Sequence, residues 1–403
     1  MAKKLRVGIL FGGRSGEHEV SLLSAASVLH AIDRNKFDVV PIGINKAGHW
    51  LTSGAAQGLL EGAGISAAKP AELRAGDPAA TPGARVLAEG QPALLAPEPA
   101  SYTSKTPGNQ RLDGQSLGGQ SCLDGQSLDV VFPVLHGTFG EDGTIQGLFE
   151  LAGIAYVGSG VLGSAAGMDK DVMKRLFAQA RLPIVKHVTL LRAEWEQAPR
   201  KAVARVEAAL QYPVFVKPAN LGSSVGISKA HNRKELGPAL TLAAKYDRKL
   251  IVEQSVGGKK TRAREFEVAV LGNDHPQASV PGEIIPCKEF YDYEAKYLSE
   301  GSTAVIPAPL NKAETKKIRE LAIAAFQACD LSGLARVDFL MEPEGKRRII
   351  LNEVNTMPGF TKISMFPKLW EATGFSYKEL ITRLIELALE RQAEKSRTIY
   401  SRE

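Results

Sequence analysis

Carboxylate and amide side chains occur near the ends of two apolar stretches in the last third of the chain. Asp338 lies in one stretch, and Glu353 and Asn355 end the next. Because residues i and i+2 share one face of a β-strand, Glu353 and Asn355 should point the same way, and Asp338 can join them from a paired strand. Such oxygen donors suit Mg²⁺ that bridges phosphates. The alternative is a surface ladder of ion pairs with Arg336 and Arg347.

A glycine- and serine-rich loop, Gly222-Ser223-Ser224-Val225-Gly226, follows Lys217, which lies on a short apolar strand. Glycines let backbone N–H groups turn towards an anion, the serine hydroxyls add donors, and the lysine adds a positive charge. The loop is not a Walker loop, because no Gly-Lys-Ser/Thr ends it. The pattern indicates a phosphate site, with an ordinary glycine-serine turn as the alternative.

Three further segments carry weaker signals. Gly158-x-Gly160-x-x-Gly163 fits a dinucleotide fingerprint, but it follows the fourth strand and not the first, so a glycine hinge between domains is preferred. Thr356–Ser364 contains a Pro358-Gly359 turn directly after the proposed metal ligands, where substrate contact or a plain type II turn would fit. Phe290–Tyr297 holds three tyrosines, two acids and a lysine, which fits either a closing loop or an exposed polar loop.

The elements that must position these residues begin with four apolar strands, predicted at Leu5–Phe11, Asp38–Ile44, Asp129–Leu135 and Ile154–Val157. Helices are predicted from about Glu17 and over Thr144–Ala152. Strands alternating with helices, and strands that are nearly continuously apolar, indicate a parallel, doubly wound sheet. Residues from about 52 to 128 are rich in Gly, Pro, Ala and Gln and contain LDGQSL twice, so we interpret them as a partly disordered surface insertion.

After Met168 the pattern changes to a mixture of helices and strands. Helices are predicted at about Asp169–Ala180, Ala193–Leu210 and Lys312–Cys329 and from Tyr377 onwards, and strands at Val185–Leu190, Val214–Lys217, Gly226–Lys229, Lys249–Glu253, Glu265–Leu271, Glu283–Pro286, Leu334–Met341 and Arg347–Val354. The fold class is therefore mixed α/β and α+β. We expect three units, residues 1–165, 166–254 and 255–403.

The overall composition restricts the class of partner. A net charge of +6 over 403 residues is a mild excess without a long basic run, so it favours anionic small molecules over nucleic acid. The three cysteines, Cys122, Cys287 and Cys329, are far apart and form no CxxC motif, so neither a disulfide framework nor a thiolate zinc site follows, and a reducing cytoplasm fits. No apolar run approaches the length of a membrane span, so no membrane association is expected.

The motifs occur in an order that resembles the D-alanine–D-alanine ligases of the ATP-grasp superfamily. The resemblance covers nearly the whole chain apart from about residues 52–128. It rests on Gly12-Gly13-x-Ser15-x-Glu17-x-Glu19-Val20-Ser21, His136-Gly137-x-x-Gly140-Glu141-Asp142-Gly143, Met168-Asp169-Lys170, Lys217-Pro218 with the Gly222–Gly226 loop, Tyr291-Asp292-Tyr293-x-x-Lys296-Tyr297, Arg336-Val337-Asp338, and Asn352-Glu353-Val354-Asn355-Thr356-x-Pro358-Gly359. It implies a two-part ATP-grasp region, residues 166–254 and 255–403, behind the doubly wound N-terminal domain.

The resemblance also implies roles in binding ATP and metal. The ATP-binding positions it implies are Lys170, Lys217, Ser223, Ser224, Glu253, Glu265 and Lys296. Two ions of Mg²⁺, or of Mn²⁺, would be held by Asp338, Glu353 and Asn355. The family often has a lysine after the acid at Glu253, and this chain departs from that pattern with Gln254.

Further positions are implied for the amino-acid substrates. Glu17 would hold the ammonium group of the first D-alanine in a network with Ser223 and Tyr297, and His136 would lie nearby. Arg336 and the Gly359 backbone would face the oxyanion, and Lys296 and Ser364 would contact substrate.

The activity implied is ATP-dependent joining of two D-alanines through an acyl phosphate, for peptidoglycan precursors, by a cytoplasmic homodimer. Because Lys296 and Tyr297 are both present, as in the D-alanine type, we expect a dipeptide and not a D-lactate ester. The alternatives are another ATP-grasp carboxylate–amine ligase, such as a D-alanine–D-lactate or other dipeptide ligase, and a nucleotide-binding regulator without catalysis. The Asp338, Glu353 and Asn355 set speaks against the regulator, because a pure binder has less need of a metal site.

Overall fold

The computed structural model describes residues 3–62, 122–123, 126–257, 262–285, 303–343, 347–361 and 363–400. The N-terminal elements are β1 (Leu5–Gly12), α1 (His18–Ala31), β2 (Phe37–Ile44), β3 (Trp50–Thr52), α2 (Ser53–Gly62), β4 (Cys122–Leu123), β5 (Gln126–Ser127), β6 (Val130–Val134), α3 (Thr144–Ala152) and β7 (Ala155–Tyr156). Their main sheet has the order β3-β2-β1-β6-β7. Every pairing in it is parallel except that of β3, which runs antiparallel along the edge of β2. The predicted parallel, doubly wound sheet is confirmed.

Both faces of this sheet are buried, as the continuous apolar character of its strands requires. In β1, alternate side chains enter different cores. Val7, Ile9 and Phe11 pack in one hydrophobic cluster, and Leu10 packs in a second cluster with Ile42. Strand β1 therefore lies in the middle of the domain, and Gly12 and Gly13 stand at its C-terminal end.

The predicted insertion begins too early in the sequence. Residue Thr52 closes the edge strand β3, and Ser53–Gly62 forms helix α2. Ala56 and Leu60 are buried in the first core, four residues apart on one helical face. The glycine and alanine content hid this short helix, because its amphipathic pattern depends on only a few residues. Cys122–Leu123 and Gln126–Ser127 pair antiparallel, and the remaining part of the predicted insertion, 63–121 with 124–125, lies outside the described residues.

The next elements are α4 (Val161–Met168), α5 (Lys170–Gln179), β8 (His187–Leu191), α6 (Arg192–Gln197), α7 (Pro199–Ala209), β9 (Val214–Pro218), β10 (Ser228–Ala230), α8 (Arg233–Ala244) and β11 (Lys249–Gln254). The strands form an antiparallel sheet of order β10-β9-β11-β8. The single helix predicted over 193–210 is wrong: the structure has two helices, because Pro199 cannot donate an intrahelical hydrogen bond and instead begins the second helix.

The last elements are β12 (Arg264–Gly272), β13 (Gln277–Ala278), β14 (Gly282–Ile285), β15 (Thr303–Val305), α9 (Lys312–Ala328), β16 (Gly333–Met341), β17 (Ile349–Asn355), α10 (Met365–Thr373) and α11 (Tyr377–Lys395). The strands form a third sheet of order β15-β14-β12-β16-β17, with β13 paired to β12. Within the part of the chain that the structure describes, no helix has the length and apolar character needed to cross a membrane.

Helices α10 and α11 return to the N-terminal sheet and complete its core. Phe366, Trp370 and Leu384 belong to the same hydrophobic cluster as Val7 and Phe11. The return is fixed by polar contacts as well. Arg391 lies over the ring of Tyr156, and its guanidinium donates hydrogen bonds to the carbonyl oxygens of Tyr156 and Gly158. The two ends of the chain are therefore packed into one unit.

Candidate active site

A cavity of about 430 Å³ lies between the second and third sheets and below the Gly222–Gly226 loop. It contains all of the predicted ATP and metal residues that the structure describes. They are Lys170, Lys217, Ser223, Ser224, Glu253, Glu265, Asp338, Glu353 and Asn355. Lys296 and Tyr297 lie outside the described residues. Positions spread over 186 residues of sequence are thus brought to one cleft by strands β9, β11, β12, β16 and β17 and by the start of α5.

Two lysines point their ammonium groups into the cavity from different elements. Lys170, at the start of α5, donates a hydrogen bond of 2.9 Å to the carbonyl of Leu221 and lies 3.6 Å from Glu353. Lys217, on β9, pairs with Glu253 Oε2 at 2.6 Å. Burial opposes the charge of Lys217, but Glu253 and Glu353 outweigh it and raise its pKa. Both lysines are therefore positioned as cations against an anionic ligand.

Glu253 is buried at the end of β11 and forms ion pairs with two lysines. Lys174 Nζ lies 3.0 Å from one carboxylate oxygen, and Lys217 Nζ lies 2.6 Å from the other. Burial alone would raise the pKa of Glu253, but the two ammonium groups lower it to about 2. Burial lowers the pKa of Lys174, and Glu253 opposes that effect, whereas the pKa of Lys217 is raised. Lys217 is therefore the cation of this cluster that faces the cavity, where it suits a polyanionic ligand such as a nucleotide.

The proposed metal ligands lie where strands β16 and β17 pair. Asp338 is directly opposite Glu353, and Arg336 is opposite Asn355. The Arg336 guanidinium donates two hydrogen bonds of 2.7 Å to Asp338, and the Asn355 amide donates a third, of 3.1 Å. Glu353 approaches from the other side, next to Lys170.

This donor set fits a Mg²⁺ ion held in part by phosphate. Among the described residues no three His, Cys, Asp or Glu side chains converge on one point. Asp338 and Glu353 supply two carboxylates, and Asn355 supplies an amide oxygen. Magnesium keeps several water or phosphate ligands and takes few from protein, so two carboxylates and an amide suffice.

A β-bulge shapes this corner of the site. Asp338 pairs with Glu353, but the next residue, Phe339, pairs with Leu351, so Asn352 is the extra residue of β17. Bulges re-aim side chains and are common beside active sites. Here the bulge turns Glu353 towards the cavity, and the Asn352 carbonyl accepts a hydrogen bond of 2.9 Å from Lys174.

The Gly222–Gly226 loop reaches the N-terminal domain through the side chain of Ser223. The Ser223 hydroxyl donates a hydrogen bond to Glu17 Oε1, just before helix α1. Ser223 and Ser224 both adopt positive φ, at 49° and 60°, which is uncommon for residues other than glycine. Such backbone strain of about 1–3 kcal/mol per residue persists only where surrounding contacts hold it. The loop is therefore held down over the cavity at the end that Glu17 marks.

His136 is buried and uses both ring nitrogens. Nδ1 lies 2.9 Å from the Met357 carbonyl, and Nε2 lies 3.0 Å from the Ser24 hydroxyl, which also accepts the Phe360 N–H. Burial opposes a charge on the ring, but Glu141, 3.7 Å away, raises the pKa of His136. The histidine thereby fixes the loop after β17 against helix α1, and any effect it has on a substrate passes through that loop or through Glu141.

Gly359 and Ser364 lie together on the same loop, next to the start of α10. A Cβ at Gly359 would be 2.8 Å from the Ser364 hydroxyl, so glycine allows the close approach. The Ser364 hydroxyl accepts a hydrogen bond of 3.0 Å from the Thr361 backbone. The loop therefore presents a compact turn beside the cavity, anchored by Tyr377, which donates to the Phe360 carbonyl.

The charged residues of the site that were missed from the sequence include three that contact predicted ones. Glu141 lines the cavity, and burial raises its pKa, with Glu17 adding to the effect and His136 opposing it. Glu267 also lines the cavity and lies 3.1 Å from Arg336. Lys174 lies behind Glu253. Spacing could have found two of them, because Glu267 is two residues from Glu265 on a strand and Lys174 is four residues from Lys170 on a helix.

Comparison with known proteins gives one consistent result. Residues 6–159 match the family model described as D-ala D-ala ligase N-terminus, and residues 176–386 match D-ala D-ala ligase C-terminus. A D-alanine–D-alanine ligase from Natranaerobius thermophilus is 48% identical over 98% of this chain and 98% of its own length. One from Heliobacterium modesticaldum is 49% identical over 99% of this chain and 98% of its own length.

Solved structures agree with the sequence comparison. The D-alanine-D-alanine ligase from Coxiella burnetii superposes with a TM-score of 0.75 at 34% identity, over 98% of this chain and 96% of that one. The VanG D-Ala:D-Ser ligase from Enterococcus faecalis gives the same TM-score of 0.75 and 34% identity, over 96% of this chain and 100% of that one.

Proposed function

The chain belongs to the D-alanine–D-alanine ligase family, and from this premise we propose that its cleft joins two D-alanine molecules with conversion of ATP to ADP and phosphate. The observation that carries the proposal is the convergence of Lys170 and Lys217 with Asp338 and Glu353 in one cavity, whose loop is held by Glu17. A polyphosphate and a small amino acid then fit at adjoining ends of the same cleft.

The reaction proceeds in two transfers. A carboxylate oxygen of the first D-alanine attacks the γ-phosphorus, and ADP leaves, which gives an acyl phosphate. The amine of the second D-alanine then attacks the acyl carbon, and phosphate leaves as the peptide bond forms. The first transfer depends on positioning and charge neutralisation, which the two cavity lysines supply.

Mg²⁺ or Mn²⁺, two ions per site, would supply charge neutralisation for the transfer of the phosphoryl group. Asp338, Glu353 and Asn355 would hold the metal. Around the nucleotide, Lys170, Lys217 and Lys296 would bind phosphates, Ser223 and Ser224 would cover them, and Glu253 and Glu265 would bind the adenosine. Each of these described side chains lines the cavity; Lys296 is assigned from the family motif.

The amino-acid half of the site lies at the other end of the cleft. Glu17 would bind the first ammonium group, with His136 behind it and Tyr297 completing the Ser223 network. Arg336 and the Gly359 N–H would stabilise the oxyanion of the tetrahedral intermediate, and Ser364 would bind the second carboxylate. Closure of the loop would keep water from the acyl phosphate.

Three wider assignments belong to the same proposal. The protein works in the cytoplasm, where its ATP substrate is supplied, and serves peptidoglycan precursor synthesis as a homodimer. Residues 1–165 form the substrate domain, and residues 166–254 and 255–403 form the two parts of the ATP-grasp region. The three larger sheets, one within each of these ranges, support this division.

The test is coupled detection of ADP release with ATP and Mg²⁺ across a panel of D- and L-amino acids. We expect release that depends on D-alanine, with D-alanyl-D-alanine as the product. D-Serine and D-lactate belong in the panel as competing acceptors, because a D-Ala:D-Ser ligase shows equal structural similarity. If the main product were a mixed dipeptide or an ester, D-alanine would not be the preferred second substrate. If no ADP were released in response to D-alanine, ligation of D-alanine would be excluded.

A further inference from the structure

Lys174 is a fully buried lysine in the middle of helix α5. Its side chain is 1% exposed, and it does not line the cavity. Its ammonium group instead lies behind the cavity wall, where it contacts two strands from different sheets. It is 3.0 Å from Glu253 on β11 and donates a hydrogen bond of 2.9 Å to the Asn352 carbonyl on β17. One side chain thus links the two walls between which a nucleotide would lie.

The contact with Glu253 determines what Lys217 is able to do. Glu253 is paired with both lysines in the structure. Lys217 lines the cavity, so it can turn towards a phosphate, whereas Lys174 cannot. When Lys217 turns away, Lys174 remains as the counterion of a buried carboxylate, which would otherwise be costly to leave alone. Lys174 therefore releases Lys217 for binding.

The contact with Asn352 determines how β17 presents its metal ligand. Asn352 is the extra residue of the β-bulge and has no register partner on β16. Its half-buried carbonyl accepts a hydrogen bond from Lys174, which holds the bulge in place. The next residue is Glu353, which the bulge turns into the cavity. Loss of the lysine would leave the bulge without its anchor and allow Glu353 to move.

Stability alone explains the lysine poorly. Buried ion pairs are often no more stabilising than well-packed apolar side chains of similar volume, because both charges must be desolvated. A methionine could fill this space among the neighbours of α5. An apolar residue could not reproduce the contacts of the ammonium group. That group contacts Glu253, which is proposed to bind the nucleotide, and Asn352, which precedes the proposed metal ligand Glu353.

We propose that Lys174 is a positioning residue of the ligase site, which sets ATP affinity through Glu253 and metal affinity through the Asn352 bulge. The inference rests on the proposed function, because Glu253 and Glu353 receive their roles there. Lys174 touches neither ATP nor metal, so its effects are transmitted through these two acids. The binding of D-alanine at the Glu17 end should not depend on it.

The experiment compares Lys174→Met and Lys174→Arg with the wild type, and with Lys201→Met as a matched control at an exposed lysine. ATP affinity is measured by calorimetric titration without D-alanine, alongside the Mg²⁺ concentration for half-maximal activity, the two KM values and Tm. We expect Lys174→Met to weaken ATP binding by about 10- to 100-fold, the range for loss of a charged hydrogen bond. Half-saturating Mg²⁺ should rise as well, with KM for D-alanine within about twofold of wild type.

The arginine variant keeps the charge but not the geometry, and it serves if the methionine variant does not fold. We expect it to keep the wild-type Tm within a few degrees and to weaken ATP binding by about tenfold, since a planar fork cannot replace a compact ammonium. A fall in Tm with ATP and Mg²⁺ affinities unchanged would overturn the proposal. So would equal increases in both KM values.

A double variant separates the route through Glu253. Lys174→Met/Glu253→Gln should lose little more ATP affinity than Glu253→Gln alone, because the lysine acts through that acid. If the double variant lost ATP affinity by the product of the two single-variant factors, the route through Glu253 would be overturned. A failure of the proposed function would be seen in a different measurement. If the wild type binds ATP but makes no dipeptide, the ATP titrations still decide the role of Lys174.

Discussion

The hydroxyl of Ser223 donates a hydrogen bond to the carboxylate of Glu17, joining positions 206 residues apart in the sequence. One partner belongs to the loop over the nucleotide end of the cleft, and the other precedes the first helix of the chain. The contact couples closure of the loop to the residue proposed to bind the first ammonium group. Under the proposed function, we therefore expect binding of the amino acid and covering of the phosphates to be linked.

Replacing Ser223 with alanine should disrupt that link. We expect Ser223→Ala to lower kcat/KM for D-alanine by about 10- to 100-fold, because a hydrogen bond to a charged group is lost. Coupled ADP release measures the effect. Ser27→Ala, at a half-buried serine of helix α1 that does not line the cavity, is the control and should leave the rate unchanged. Equal rates for the two variants would contradict a role for the contact.

Gly137 gives a steric test of the Glu17 position. A Cβ there would lie 2.5 Å from Glu17 Oε2, and the backbone φ of +73° disfavours other residues. Gly137→Ala should therefore raise KM for D-alanine by about tenfold or more, while ATP affinity stays near wild type. Gly147→Ala is the matched control, since nothing lies within 4 Å of its Cβ. A larger change in ATP affinity than in KM for D-alanine would contradict the assignment.

Glu267 should act through Arg336, which lies 3.1 Å from it and also forms an ion pair with Asp338. Glu267→Gln neutralises a carboxylate that holds the guanidinium, so Arg336 is less well placed against the oxyanion. We expect kcat to fall by about tenfold with ATP affinity preserved. The exposed Glu196→Gln serves as the control. A loss of ATP affinity as large as the loss of kcat would assign Glu267 to the nucleotide instead.

Metal dependence tests the ligand set on β16 and β17. EDTA should abolish activity, and added Mg²⁺ should restore it. Asp338→Asn should raise the half-saturating Mg²⁺ concentration by about tenfold or more, because one of the two proposed carboxylate ligands is neutralised. Asp274→Asn, at an exposed turn, should titrate like the wild type. An unchanged Mg²⁺ titration for Asp338→Asn would remove that residue from the proposed site.

Glu253 gives a pH prediction with a definite sign. Its pKa is lowered from 4.5 to about 2, so its contribution to stability is complete above about pH 4.5 and is lost as pH falls towards 2. Glu253→Gln should therefore have a lower Tm than wild type at about pH 7 and pH 5, by a similar amount. The difference should narrow below about pH 4.5. A difference that grows in acid would contradict the paired state of Glu253.

Features that depend on the periodicity of side chains along a strand or helix could be predicted from the sequence. The alternation of side chains along a strand placed Glu353 and Asn355 on one face, and the observed pairing of Asp338 with Glu353 joins them. Local period could not show His136 meeting Met357, because 221 residues separate them and only the folded core brings them together. Lys174 shares a helical face with Lys170, yet period alone does not distinguish a residue in the cleft from one buried behind it.

The covering of the first sheet by the last helices affects how the protein is made. Leu380, Leu384 and Trp370 complete the same core as Val7 and Phe11. During synthesis, strands β1, β2 and β6 leave the ribosome long before α10 and α11 exist. Helices α1 and α2 cover only part of that core, so some of its apolar surface stays exposed until α10 and α11 have emerged.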